Sequence, residues 1–442
     1  MTDSFPENQP RKTIGFVGTF DVANYGDCLF PVVYMHLLSQ SIAGLEFSFY
    51  SPLARSAEIM DYGPVKALPA TVPQIAFDED ALILCGGETL WFGHSSGTFN
   101  FHKSTLSSYL RLWLTPCVAA SRAQVDFYVH SVGMPRADLD APAEIAEVLG
   151  AATMVSVRDE VTATRLGNRF PVEVDPVFSL SNMKSQEEWQ TEARQWLPVD
   201  YNFGKYLVAQ VSMPYLNNGL QEWCEQVALT AKNHDLPILL VPICHFMDDR
   251  YNLKEARSIL IELGIAENRV CLPPLASKDV IATAALLGMS AGVITSSLHA
   301  CVTAVSFGVP FAGFVGNGKA DGKHRQTLLA AGVNYGMAME IGDLAQIFAD
   351  SSNQDCAIQQ SLAIERSMKG LMPLVEGLRH DRRASSPLQQ TTIDAMLFHD
   401  KRPTRHLRLE FKRTILRWAN KSHFLAGLLV ARRRARMRRK TA

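Results

Sequence analysis

The strongest constraint in this sequence is a repeated alternation of short apolar, β-favouring runs with longer helical patterns. In the first half, the predicted strands are residues 13–19, 45–50, 81–85, 125–130 and 154–157. In the second half, they are residues 206–211, 237–241, 270–272, 292–295 and 311–315. Strand and helix in alternation are typical of parallel sheets covered by helices on both faces. We therefore predict an α/β chain with two doubly wound, Rossmann-like domains.

A polar, helix-favouring stretch at residues 182–200 interrupts this alternation and predicts where the two domains divide. The predicted order is a polar N-terminal segment (1–12), an N-terminal domain (13–181), a linker or bridging helix (182–200), a C-terminal domain (201–350), a helix with a loose linker (351–400) and a basic amphipathic tail (401–442). Two such domains facing each other enclose a cleft. Ligands of open α/β sheets bind beyond the carboxyl ends of the strands, so the turns after Thr19, Cys85, Val157, Val241 and Thr295 should line it.

The formal net charge of -1 hides a strong segregation of charge along the chain. Of the 43 Lys and Arg residues, 15 lie from Lys401 onward together with one acid, Glu410, so 28 basic and 43 acidic residues remain before that point. The acidic body is a poor non-specific partner for nucleic acid, and we expect no specific nucleic-acid ligand. The basic tail indicates an anionic membrane surface, with a disordered basic extension as the alternative.

Other features narrow the class further. The eight cysteines are scattered, without a C-x-x-C pair or zinc-ligand spacing, and are expected to be reduced core thiols. The first 12 residues contain no apolar stretch that could act as a signal peptide, and no segment reaches about 20 uninterrupted apolar residues. These features predict a cytoplasmic protein, peripheral at most on the inner face of the membrane, with no metal and no cofactor.

Two glycine-containing turns are candidates for ligand contact. The turn from Gly18 ends in Asn24 and Asp27 at the start of a helix, where backbone N–H groups suit phosphate or sugar hydroxyls. The alternative is structural, with Asp27 as the helix N-cap and Asn24 as a turn residue. Gly86 and Gly87 follow a buried strand and would allow close contact with a ligand, although such pairs also form plain turns.

Further candidates follow three other strands. Arg158 suits bidentate recognition of a carboxylate or phosphate, with an inter-domain salt bridge to Asp175 as the alternative. The Thr295–Ser297 turn places hydroxyls and His299 where a strand becomes a helix, so this turn could bind an oxyanion while His299 acts as acid or base. His245 should also reach the cleft, without a distinct role.

Taken together, these residues resemble the polysaccharide pyruvyl transferase family. The matching segments are G-x-x-x-x-x-N-x-G-D at 18–27, the turn Gly86-Gly87, S-V-R-D at 156–159, D-P-V-F at 175–178 and T-S-S-L-H-A with G-V-P within 295–310. Some members carry an arginine where this chain has Ser297, and many carry a glycine where it has Glu88. The S-S-L-H form resembles that of members that modify secreted exopolysaccharides.

The resemblance implies two facing Rossmann-like domains of the GT-B type and transfer of the enolpyruvyl skeleton of phosphoenolpyruvate to a saccharide, ending in a pyruvate ketal. His299 would then be the general acid that protonates the enol methylene. The donor would be held by Arg158, Ser296, Ser297 and the helix start at Leu298. Asn24, Asp27 and the glycine turn would contact the acceptor, which we expect to be lipid-linked.

Lys323 and His324 are secondary candidates for phosphate, with a mobile surface loop as the alternative. Two other functions remain open at this point. One is a metal-independent glycosyltransferase of the same architecture that uses a nucleotide sugar. The other is a non-catalytic binding module associated with a membrane through its tail.

Overall fold

The computed structural model describes residues 12–54, 62–69, 77–90, 108–122, 125–134, 143–212, 216, 219–315, 322–380 and 388–400. Within these residues the chain forms two six-stranded parallel sheets, each with helices packed against it. No helix in this part of the chain is both long and apolar enough to cross a membrane.

The first sheet is formed entirely by the N-terminal half. Its strands are β1 (Lys12–Val17), β2 (Leu45–Ser51), β3 (Val65–Ala67), β4 (Ala81–Cys85), β5 (Asp126–Val132) and β6 (Met154–Val157). Their order is β3-β2-β1-β4-β5-β6, which is the Rossmann order. Every residue of β4 and β5 is buried, as expected where a parallel sheet is covered on both faces.

The second sheet repeats this topology. Its strands are β7 (Leu207–Gln210), β8 (Ile238–Leu240), β9 (Val270–Cys271), β10 (Gly292–Thr295), β11 (Phe311–Phe314) and β12 (Met337–Ala338), in the order β12-β11-β10-β7-β8-β9. The prediction of two doubly wound domains is confirmed, and all ten predicted strands are present. The sequence missed the short edge strands β3 and β12, which do not lie in a recognisable apolar run.

Helices connect the strands in both halves. The first half contains α1 (Tyr25–Ser41), α2 (Ser108–Ser121), α3 (Ala143–Leu149) and α4 (Glu160–Arg165). The second contains α6 (Leu220–Asn233), α7 (Asp249–Glu262), α8 (Val280–Gly288), α9 (Leu298–Ser306), α10 (Lys323–Ala330) and α11 (Leu344–Ser352). The amphipathic pattern of the sequence predicts the first helix over residues 28–42, and α1 begins three residues earlier, at Tyr25.

The polar stretch at 182–200 contains α5 (Gln186–Arg194), which follows a 3-10 helix over Pro176–Met183. Ser185 forms a capping box with Glu188, and this explains where the helix begins. Trp189 is buried on its other face and donates to the Ser181 carbonyl oxygen at 3.1 Å. Helix α5 packs against α8 of the second half, so this stretch is folded.

The chain returns to the first domain through α12 (Cys356–Arg379) and α13 (Gln390–Asp400). The buried His130 ring fixes this return: Nε2 donates to the Gly370 carbonyl oxygen at 3.0 Å, and Nδ1 accepts from the Tyr34 hydroxyl at 2.6 Å. Burial lowers the pKa of His130 to about 4, so the ring is neutral at pH 7, and these contacts fit the tautomer with the proton on Nε2.

One expectation about this region is wrong in part. Within residues 351–400, the Ser/Gln/Pro-rich stretch 381–391 predicts the loose linker, but α13 begins at Gln390, and its Ile393 and Met396 are buried in the core of the first domain. Apolar side chains at this spacing are ordered by packing against the first domain, which the local polar composition does not predict. Residues 381–387 and the predicted tail at 401–442 lie outside the described residues.

Candidate functional site

A cavity of about 250 Å³ lies between the two domains at the carboxyl ends of their strands. The first domain lines it with Thr19, Val22, Asn24, Asp27, Gly87, Glu88 and Arg158. The second domain lines it with Ser212, Ile243, Cys244, Phe246, Met247, Ser296, Ser297, Leu298, His299, Lys323 and His324. Ten of the twelve residues predicted for the site are therefore in one cavity, and the exceptions are Gly86 and His245.

A backbone contact joins the two domains beside the cavity. Asn24 and Cys244 form an antiparallel bridge. On either side of it, the Tyr25 N–H donates to the Ile243 carbonyl oxygen at 3.0 Å, and the Phe246 N–H donates to the Ala23 carbonyl oxygen at 3.2 Å. The first turn of the N-terminal domain is thereby held against the segment after β8. Sequence reasoning did not predict this contact, because backbone pairing between distant loops leaves no residue pattern.

His299 lies in the first turn of α9 and points across the cleft toward α1. Its ring packs edge-on to Phe30, with centroids 5.1 Å apart, and its Nδ1 side faces Gly26 so closely that a Cβ on that residue would be 2.0 Å from Nδ1. Its Nε2 is buried and has no hydrogen-bond partner among the described residues. Burial, then the charges of Arg158 and Lys323, lower its pKa to about 3, so the imidazole is neutral at pH 7.

The glycine turn after β4 supports this histidine from the other domain. Gly86 and Gly87 have φ of +44° and +71°, the left-handed region that favours glycine. A Cβ on Gly86 would lie 2.2 Å from the Phe30 ring, which in turn packs on His299. Gly86 thus acts through Phe30 rather than by lining the cavity, whereas Gly87 lines it directly.

Arg158 follows β6 and is only 2% exposed. Its guanidinium lies against Gly133, where a Cβ would be 2.6 Å from Nε, a close approach that the sequence analysis missed. Nη2 is 3.6 Å from Glu88 Oε1, and Nε is 3.5 Å from Asp159 Oδ2. A buried guanidinium with only these long contacts retains donors for a ligand.

The proposed alternative partner of Arg158 has another role. Asp175 accepts a hydrogen bond from the Val177 N–H at 2.9 Å and caps the 3-10 helix that starts at Pro176. The Arg158 and Asp175 side chains, both of which the structure describes, form no salt bridge, although the charge of Arg158 opposes the burial that raises the pKa of Asp175 to about 6. The alternative of an inter-domain ion pair is therefore wrong.

The start of α1 also differs from the structural alternative. Asn24 occupies the N-cap position, and its Nδ2 donates to Asp27 Oδ2 at 2.8 Å, so Asp27 lies inside the first turn and is not the N-cap. Burial raises the pKa of the Asp27 carboxyl, while the hydrogen bonds from Asn24 and Thr19 act in the opposite direction. Asn24 and Asp27 form a polar pair on the cavity wall.

The hydroxyls after β10 are held by a buried network. Ser297 caps α9 by accepting from the Ala300 N–H at 3.4 Å, and Ser296 Oγ accepts from the Ser212 N–H at 2.9 Å. Both hydroxyls accept from the backbone in these bonds, so their protons can be donated to a ligand.

Two further residues position this turn. Gln210 Oε1 accepts from the Thr295 hydroxyl at 2.6 Å, and its Nε2 donates to Asp249 Oδ2 at 2.7 Å. The fully buried Asp249 carboxylate also accepts from the Ser212 hydroxyl at 2.6 Å and the Cys244 N–H at 2.8 Å. Asp249 therefore ties the turn after β10 to the segment that contacts the first domain. The sequence analysis identified neither Gln210 nor Asp249.

The start of α10 contributes the second cation. Lys323 Nζ lies 3.1 Å from Glu88 Oε2, and the buried His324 has Nε2 3.2 Å from the Ser296 carbonyl oxygen. Both residues begin α10 and so are not part of a surface loop, although Lys323 is partly exposed. Residues 316–321 lie outside the described part. His245 begins a 3-10 turn over His245–Met247, and its neighbours Cys244, Phe246 and Met247 line the cavity instead.

Two Rossmann-like domains that enclose a polar cavity at their strand ends give this chain a GT-B-like fold. A sequence profile of the polysaccharide pyruvyl transferase family matches residues 22–317. The chain belongs to this family and is therefore a transferase. The resemblance noted in the sequence is confirmed, and a search of curated proteins returns no match.

Several solved structures are distantly similar. A UDP-GlcNAc 2-epimerase of Methanocaldococcus jannaschii in complex with UDP-GlcNAc and UDP is 12% identical, with 78% of this chain and 94% of that chain covered and a TM-score of 0.47. The S. aureus MnaA–UDP structure is 12% identical, with 84% of this chain and 96% of that chain covered and a TM-score of 0.49. A glycosyltransferase of Rickettsia africae is 11% identical, with 84% of this chain and 100% of that chain covered and a TM-score of 0.48. Similarities at this level do not bear on what this chain acts on.

Proposed function

We propose that this protein transfers the enolpyruvyl skeleton of phosphoenolpyruvate to two hydroxyls of a saccharide and forms a pyruvate ketal, with His299 as the general acid. The observation that carries this proposal is the cavity itself. It brings a buried Arg158, Lys323 and a histidine with a buried, unpartnered Nε2 among the described residues to one small volume. Two cations and a proton-transfer group are what a small, multiply charged enol phosphate requires.

The donor's two anionic groups would lie between the cations. The Arg158 guanidinium suits bidentate recognition of a carboxylate or a phosphate, and the Lys323 ammonium supplies a point charge for the other group. The hydroxyl protons of Ser296 and Ser297 and the N-terminus of α9 at Leu298 would complete the phosphate site. Lys323 thereby provides a second positive charge near the position where some family members have an arginine in place of Ser297.

Protonation of His299 would follow from donor binding. In the empty cavity, burial and two positive charges keep the imidazole neutral. An anionic donor neutralises those charges and places negative charge near Nε2, so it favours the imidazolium. The acid can then transfer its proton to the enol methylene, and a saccharide hydroxyl attacks the neighbouring carbon. The second hydroxyl closes the ketal as inorganic phosphate leaves.

The acceptor would enter on the side of Asn24 and Asp27. These residues present an amide and a carboxylate, the groups that bind sugar hydroxyls, and Asp27 can accept a hydroxyl proton because its carboxyl pKa is raised by burial. The cavity of about 250 Å³ is at or below the roughly 300–1,000 Å³ typical of pockets for drug-sized ligands, which favours a small donor over a nucleotide sugar.

Ligand-dependent stability and product mass test this function together. Phosphoenolpyruvate should raise the melting temperature of the protein, and His299→Ala should abolish ketal formation, measured by mass spectrometry of lipid-linked or nucleotide-linked saccharides, without lowering stability. Stabilisation by a nucleotide sugar alone would favour a glycosyltransferase. Ketal formation at full rate by His299→Ala would remove the proposed acid.

We further propose that the protein works in the cytoplasm on a lipid-linked precursor of an exopolysaccharide, at the inner membrane surface. The support is the sequence of the tail, in which 15 basic residues accompany one acid. Each basic residue near an anionic leaflet is worth about 1 kcal/mol. A chain truncated before Lys401 should lose sedimentation with anionic vesicles, and equal sedimentation of the two chains would refute the membrane role.

A further inference from the structure

The cavity contains a negative charge between its two cations. Glu88 Oε2 lies 3.1 Å from Lys323 Nζ, and Oε1 lies 3.6 Å from Arg158 Nη2, so each carboxylate oxygen faces one cation. Glu88 belongs to the turn after β4 in the first domain, whereas Lys323 starts α10 in the second. One side chain thus bridges the two cations across the cleft.

The contacts of this carboxylate with the two cations are weak. Its contact with Arg158 is longer than a hydrogen bond, although the guanidinium is fully buried and could form a shorter, bidentate pair. Its contact with Lys323 lies at the rim, where the side chains are 23% and 35% exposed, and such pairs contribute little to stability. A ligand that offers better geometry to both cations would therefore replace Glu88 at low cost.

We infer that Glu88 is an internal counter-ion that occupies the anion-binding end of the cavity and must be displaced by the donor. That Glu88 competes with phosphoenolpyruvate in particular rests on the proposed function. That it competes with small anions in general does not.

The consequence is a threshold of affinity that a ligand must exceed, because displacement of Glu88 lowers the affinity of every small anion for the cavity. A ligand with a single carboxylate only exchanges one carboxylate for another and gains little, whereas a ligand with two anionic groups can neutralise both cations at once and still binds. The same competition favours product release. Once phosphate has left, the ketal keeps one carboxylate, and Glu88 can return to its two cations. Glu88 would therefore limit the retention of weakly bound, singly charged ligands rather than take part in bond formation.

Calorimetric titration of the full chain with inorganic phosphate, phosphoenolpyruvate and pyruvate tests this inference. Glu88→Gln removes the charge but keeps the size of the side chain, and it should bind all three ligands about tenfold more tightly, because a competitor common to them is removed. Glu88→Asp keeps the charge and should bind them about as weakly as the native chain. Glu160→Gln is the matched control, because Glu160 is an exposed acid in the first turn of α4 and does not line the cavity.

Each outcome decides a different point. Unchanged or weaker binding of phosphate and pyruvate by Glu88→Gln, with an unchanged melting temperature, would overturn the inference. Equal tightening in Glu160→Gln would overturn it as well, because the effect would then be one of overall charge. If the native chain binds phosphate but not phosphoenolpyruvate, the proposed donor is wrong, and the phosphate and pyruvate titrations still decide the role of Glu88.

Discussion

The contact between Gly26 and His299 makes a sharp test of the site. Gly26 is in the first turn of α1, where alanine would normally be better than glycine by about 1 kcal/mol. A Cβ at this position would lie 2.0 Å from His299 Nδ1 and 2.5 Å from Cγ, whereas ordinary van der Waals contact begins at 3.4 Å. In Gly26→Ala the imidazole or the helix must therefore move by about 1.4 Å.

Gly26→Ala changes stability in two opposing ways, through helix propensity and through overpacking. Only the overpacking changes the activity. The gain in helix propensity offsets part of the overpacking cost of about 1–3 kcal/mol, so the free energy of unfolding should fall by no more than about 2 kcal/mol. A displacement of about 1 Å at a proton-transfer group can lower the rate about 100-fold. We expect a folded protein with at least this loss of ketal formation.

A double-mutant cycle separates the clash from other effects. His299→Ala removes the ring, so adding Gly26→Ala to it should cost no stability and should show the helix-propensity gain alone. Denaturant unfolding of the four proteins measures the coupling, and mass spectrometry of the ketal measures the activity. Additive stabilities, or native activity in Gly26→Ala, would refute the close approach of the two domains at this point.

Three further perturbations test the site and its support. Arg158→Lys should raise the KM for phosphoenolpyruvate at least tenfold with a smaller change in kcat, because lysine cannot form a bidentate pair, and an unchanged KM in steady-state kinetics would exclude Arg158 from the donor site. Asp249→Asn should lower the free energy of unfolding by about 2–4 kcal/mol, since an amide cannot accept all the hydrogen bonds of the buried carboxylate; a loss below about 0.5 kcal/mol in urea unfolding would contradict this. The pKa of His130 is about 4 in the folded chain, compared with about 6.5 in the unfolded chain, so the unfolded chain binds more protons between these values. As the pH falls from 8 to 5, this group should therefore lower the free energy of unfolding by about 2 kcal/mol. In His130→Asn, the loss of unfolding free energy between pH 8 and 5 should be smaller by this contribution of His130. Equal pH dependence of the native protein and the variant in chemical denaturation would show that His130 is not held neutral.

Much of the site could be predicted because it follows from strand position. In a parallel sheet every strand has its carboxyl end at the same edge, so a polar turn after a buried apolar run is placed near the ligand by topology alone. This reasoning located Arg158 after β6 and His299 after β10 without any tertiary information. It also explains why His245, which follows β8 by several residues, was expected in the cleft although its neighbours line the cavity.

Residues that act through another residue could not be predicted in this way. Asp249 is in the first turn of α7, where an acid is typical of any helix start, and only its buried contacts with Gln210 and Ser212 reveal a positioning role. Glu88 carries a similarly ordinary sequence signal, a polar residue after a glycine pair. Its importance depends on Lys323, which is 235 residues away in the chain.

The sequence by itself determined the parallel α/β class, ten of the twelve strands and the family, because these depend on local hydrophobic periodicity and on the order of short motifs. The tertiary structure alone decided which turns face one another. Contacts such as that between the Tyr25 and Thr303 hydroxyls join residues 278 positions apart. The buried side chains of α12 and α13 bring the end of the described chain back to the first domain. The physical reason is that such contacts arise from the packing of two complete domains, whose relative placement no local pattern encodes.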